Sequence, residues 1–247
     1  IFDDYGNLID AIYLGYECDT PCALQSIRID GSYGAIKANC SNDGSAGGGG
    51  SGGYLVGDIT ALLNNPCILT TWGKMMSKGF SGELNSILKQ TFGLDKKFNL
   101  TIVEVDSLGN NALGEPIAGT SNALPNNNNG LDIQVSLSIA SLQYASQEYI
   151  ATIIYHEVMH SYLYTVTGGP YTNDAQHEAK ATKYLNSIRS ALTTTFSNST
   201  ADITKLAWAG LQKTDAFKWG ALGEIEKNII SRTISDNQIG YIGTTCQ

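Results

Sequence analysis

The chain has 247 residues, 42% of them hydrophobic and only 15% charged, with 15 Lys and Arg against 23 Asp and Glu for a formal charge of −8. An acidic surface repels phosphate backbones and anionic headgroups, which argues against nucleic-acid and membrane-surface roles, and no apolar run approaches the roughly 20 residues that a bilayer-spanning helix needs. With so few charges the solvated face must consist largely of Ser, Thr, Asn and Gly, a balance commoner outside the cell than in the cytosol, so a secreted or cell-surface protein is expected.

In chain order, residues 1–40 form a small segment that holds Cys18, Cys22 and Cys40 and too little apolar area for a core of its own. The five cysteines allow two disulfides and one thiol in an oxidising compartment, with the pairing undetermined. Residues 41–53, SNDGSAGGGGSGG, have no side chains able to pack and read as a flexible linker. Residues 54–247 form the large domain. There the pattern predicts helices over Pro66–Lys78 and Ser81–Phe92, the second closed by Gly93. Alternating strands follow at Phe98–Val105 and Leu131–Leu137, with a Gly/Asn-rich loop between them at Ser107–Gly130. A long helix over Gln147–Thr167 stops at Gly168-Gly169-Pro170, and further helices run from Asp174 to Phe196, Thr200 to Leu211 and Gly223 to Ser235. The fold class is α+β, with a helical C-terminal part.

The long helix carries His156-Glu157-Val158-Met159-His160. Positions i and i+4 of a helix lie one above the other on one face, so both imidazoles reach a single tetrahedral ion. Glu157 is about 100° further round, badly placed as a ligand but well placed to take a proton from a water on that ion. The chain has only 3 histidines. The remaining one, His177, follows a helix stop and the start of a new helix, a path that can bring it back to the same point. A zinc site of His156, His160 and a third ligand is therefore predicted. On the helix from Asp174 the apolar stripe runs through Ala181, Tyr184, Leu185, Ile188 and Leu192. His177 lies nearer its centre than Glu178 and is the expected third ligand, with Glu178 as the alternative. If all three histidines bind metal, none remains to stabilise an oxyanion, and Tyr171 and Tyr184 are candidates for that task.

These residues resemble the zincin superfamily of zinc metallopeptidases over roughly Tyr54 to the C-terminus. His156, Glu157 and His160 match its motif, whereas Leu163 and Val166 stand where the metzincin pattern would need Gly and His. The stretch ATIIYHEVMHSYL is more similar to zincins whose third ligand comes from a following helix, including SprT-like and secreted bacterial proteins. The resemblance implies a small mixed sheet over the active-site helix, with an edge strand that binds extended substrate by β-addition, expected at Leu131–Leu137. It further implies a Zn2+-dependent endopeptidase acting on a protein or peptide substrate. An inhibitor or immunity protein is a further partner if the chain is a toxin domain of a larger protein. A non-catalytic zinc-containing binding module is the alternative, against which the presence of Glu157 counts.

Other features carry less. A thiol of the N-terminal segment capping the zinc would need metal-directed neighbours that Cys18, Cys22 and Cys40 lack. The Gly tract lacks the Lys and Ser/Thr of a phosphate-binding loop.

Overall fold

A computed structural model describes residues 59–245, apart from 80–83, 85–86, 88–90, 93–97, 113, 126–129, 168–172, 198 and 200–201. The N-terminal segment, the Gly-rich linker, the Gly168-Gly169-Pro170 stop and Tyr171 lie outside the described residues. Cys67 is buried and disulfide-bonded.

Four strands form one sheet in the order β1-β2-β4-β3. They are β1 (Ile59–Leu62), β2 (Phe98–Val105), β3 (Gly119–Pro125) and β4 (Leu131–Ser138). β1, β2 and β4 run parallel, and β3 is antiparallel to β4. The register Phe98↔Leu131 to Val105↔Ser138 puts Leu100 and Ile102 beside Ile133 and Val135, all within 2% of complete burial. The apolar alternation read from the sequence puts these side chains in the core, and in β4 Ser136 and Ser138 are buried as well.

β3 corrects the expectation of a loop from Ser107 to Gly130. Its sequence, GTSNALP, has no β-branched apolar residue and buries only Ser121, so nothing local marks it as a strand. Pairing with β4 makes it one. The expected edge moves with it: β4 is bonded on both sides, by β2 and β3, and among the described residues the sheet ends at β3 instead. β1 is a second strand that local pattern does not announce.

The helices are α1 (Pro66–Lys74), continued by a π turn at Met75–Gly79, α2 (Ile139–Leu142), α3 (Gln147–Thr167) and α4 (Asn173–Ala179). A second π turn, Lys180–Tyr184, joins α4 to α5 (Leu185–Thr195), and α6 (Ile203–Leu206), α7 (Asp215–Trp219) and α8 (Glu224–Gln238) follow. Asn65 starts α1: its side-chain oxygen accepts from the Cys67 and Ile68 backbone N–H groups, and Pro66 occupies the first turn, where no donor is needed. Leu84, Ile87, Thr91 and Phe92 are helical, within the segment expected as the second helix. The helix expected over Thr200–Leu211 is shorter: it gives way to turns at Ala207, and Gly210 takes a φ of +77° that no helix contains.

The motif helix α3 is the centre of the domain. Every residue from Ala145 to Ser161 is buried, because the helix packs against β3 and β4 and also against α1, α5, α6 and α8. A helix enclosed on all sides has no solvent stripe, which explains its run of Ile, Tyr, Val and Met around the motif.

Candidate metal centre

α3 presents His156 and His160 one turn apart, and α4 brings His177 across to them. The Nε2 atom of His177 lies 3.2 Å from Nε2 of His156 and 3.1 Å from Nε2 of His160. The ligand atoms of all three lie within 4.8 Å of one another. His156 and His160 are 6% exposed, and His177 is half-buried on the more open side.

The rings are held from behind. Gln176 Oε1 accepts a short hydrogen bond from Nδ1 of His160, and the Ala209 carbonyl accepts from the ring of His156. The Nδ1 edge of His156 lies on Gly210, where an added Cβ would stand 2.7 Å from the ring Cε1 and 3.1 Å from Nδ1. Glycine at that position allows both the positive φ and the close approach. With each Nδ1 donating backward, the Nε2 of His156 and of His160 keeps its lone pair on the side of the shared centre. Burial first, and then the charge of Lys180, holds all three imidazoles neutral: His156 is pushed well below the usual range, His160 to about 2 and His177 to about 4.

Imidazole nitrogens that converge this closely are spaced to share a cation. Zn–N bonds of about 2.0–2.1 Å put neighbouring nitrogens of a tetrahedral ion roughly 3.3 Å apart, close to the spacing found here. The donor set therefore fits a metal ion, and imidazole suits zinc among several divalent metals.

Glu157 is 7% exposed and lies against β3, since an added Cβ at Gly119 would be 2.9 Å from Glu157 Cγ and 3.3 Å from its Oε1. Ser121 of β3 donates to the Glu157 carbonyl at 3.2 Å and shares a 2.8 Å hydrogen bond with Ser161, fastening the edge strand along the motif helix. Burial raises the Glu157 carboxyl to about 7, with the Lys180 cation pulling the other way.

Glu178 turns away from the histidines, and its carboxylate accepts from the backbone N–H groups of Asp215 at 2.7 Å and Ala216 at 3.1 Å, closing the start of α7. Tyr184 packs edge-on against Tyr162, with ring centroids 5.8 Å apart.

Sequence reasoning missed Gln176, the Ala209-Gly210 turn and Lys180. Lys180 is completely buried, and its Nζ lies 2.8 Å from His156 Nε2 and 3.5 Å from the His156 carbonyl oxygen. The π turn is the reason: it inserts a five-residue step, so the buried line runs Gln176, Lys180, Leu185, Ile188, Leu192. An uninterrupted helix would turn Lys180 away from this line. On the open side His177 feels the charges of Asp174 and Lys213, and Lys213 pairs with Glu115 at 3.6 Å.

No protein family matches this chain, and neither a curated protein nor a solved structure is found to be similar to it.

Proposed function

We propose that the chain is a zinc-dependent endopeptidase of zincin type, with His156, His160 and His177 as the metal ligands and Glu157 as the general base. The observation that carries the reading is the convergence of three imidazole nitrogens next to a buried carboxyl that is itself no ligand. A structural zinc site has no use for such a carboxyl.

Zinc bound by three imidazoles supplies Lewis-acid chemistry, acidifying a water and polarising a carbonyl. Glu157, raised to about 7, accepts the water's proton on its carboxylate at neutral pH and returns it to the departing amine. Gln176 and the Ala209 carbonyl fix the orientation of two of the rings. Among the described residues the sheet ends at β3, whose Gly119 lies against Glu157, so an extended peptide added to this edge would run past the base. This reading takes protein or peptide as substrate and a secreted or cell-surface setting.

The test is elemental analysis of protein purified without added metal, paired with cleavage of a broad peptide library. About one zinc per chain, removable by chelator, and hydrolysis that stops with the zinc are expected. Failure to hold zinc would overturn the reading. Zinc without hydrolysis of any peptide would favour the non-catalytic binding module.

A further inference from the structure

Lys180 is completely buried, which pushes its pKa well below the usual lysine value, and its nearest acceptor is an atom that the metal reading already assigns. The His156 ring donates to the Ala209 carbonyl, so Nε2 carries the only lone pair in the plane of that ring. Lys180 Nζ, 2.8 Å away, donates into that lone pair. A metal ion on His156 needs the same electrons. It would also stand beside Nζ, because neighbouring ligands of a tetrahedral zinc lie roughly 3.3 Å apart and Nζ is nearer to Nε2 than that.

We propose that Lys180 and the metal are mutually exclusive partners of His156 Nε2, so that Lys180 is a built-in competitor setting how tightly this centre holds a divalent cation. The inference rests on the metal-site reading above. Two effects act in the same direction. The hydrogen bond to Nε2 must break before the lone pair is free, and Nζ fills space beside Nε2 that an ion and its other ligands need. A displaced Nζ has acceptors close by: the His156 carbonyl is already 3.5 Å away, and Glu157 is near enough for its charge to act on Lys180. Metal entry would thus move Nζ from a ligand toward the base.

The helical arrangement links these parts. Gln176, which orients His160, His177, the third ligand, and Lys180, the competitor, lie within five residues at the start of one helical segment. Any shift of that segment changes ligand, support and competitor together. Occupancy of the centre would then depend on the free metal concentration over the range that Lys180 sets.

The experiment compares zinc affinity, by competition with a chromophoric chelator, for the full wild-type chain, Lys180→Met and Lys180→Gln. Removal of the amino group is expected to tighten zinc binding by about tenfold in both variants. Weaker binding would make Lys180 a ligand, and equal binding would make it a bystander; either result overturns the proposal. Zinc binding by neither wild type nor variants would instead sink the metal-site reading itself. Should both variants fail to fold, wild type labelled with 15N at lysine and histidine gives a second measurement. Added zinc is expected to shift the Lys180 Nζ and His156 Nε2 signals in step, and a His156 shift with Lys180 unmoved would overturn the proposal.

Discussion

Two buried glutamates nine positions apart on α3 have opposite fates. Glu148, completely buried at the start of the helix, accepts hydrogen bonds from Ser199 Oγ at 2.5 Å, Thr244 N at 2.8 Å and Thr244 Oγ1 at 2.8 Å. Burial pushes its pKa up, but these donors outweigh burial and hold it below the usual carboxylate value. Glu157, in the middle of the helix, is governed by burial and is raised to about 7, opposed by the charge of Lys180. The first is an anchor that ties the C-terminal residues and α8 to the motif helix, helped by Ser146, which donates to Asn237 Oδ1 at 2.7 Å. The second is held ready to exchange a proton. The residue type and the helix are the same; the donors that the rest of the fold brings to each carboxyl make the difference.

The largest expected effect separates the two directly. Glu157→Gln should lower peptide hydrolysis by about 10²–10⁴-fold with zinc content unchanged, because an amide cannot accept the proton. Glu148→Gln should leave hydrolysis per folded molecule unaltered. Steady-state kinetics corrected for folded fraction and zinc would break the comparison if the two variants behaved alike.

Next comes support for the metal. Gln176→Leu removes the acceptor behind His160 and should weaken zinc binding by about 10–100-fold. Glu178→Ala should leave zinc affinity where it is and cost about 1 kcal/mol of stability, since Glu178 closes the start of α7. Loss of zinc from Glu178→Ala would make it the third ligand in place of His177.

The anchor is expected to show in stability. Glu148→Ala leaves three partly buried donors without their acceptor and should cost about 3 kcal/mol in urea denaturation, with zinc affinity retained.

The smallest effect, and the sharpest in sign, is in pH dependence measured with chelator present. Glu148 has a lowered pKa in the folded state, so its contribution is present above the unfolded value of about 4.5 and is lost as pH falls through the folded value. Glu157 has a raised one. On its account stability is greatest below about 4.5 and declines as pH rises toward 7, where the folded carboxyl gives up its proton. Glu148→Gln should flatten the acid limb of the stability profile, and Glu157→Gln should remove the decline toward neutrality.

Elements whose signal is local were legible in the sequence. β2 and β4 carry their own period, α3 is a long run closed by a Gly-Gly-Pro stop in the sequence, and the spacing of His156 and His160 follows from helical geometry alone. His177 was reachable because the chain offers no other histidine. Tertiary structure decided the rest. β3 is a strand because β4 pairs with it, and its position against Glu157 depends on a glycine whose missing Cβ admits the helix. Glu178 closes a helix that begins 37 residues later in the chain. The Ala209-Gly210 turn reaches His156 from a segment whose own sequence reads as helix. Lys180 faces the core because a π turn changes the phase of its helix by one residue, a change that hydrophobic periodicity assumes away. Periodicity reports which face of a segment is apolar; which polar group meets which across the fold depends on pairings between residues distant in sequence.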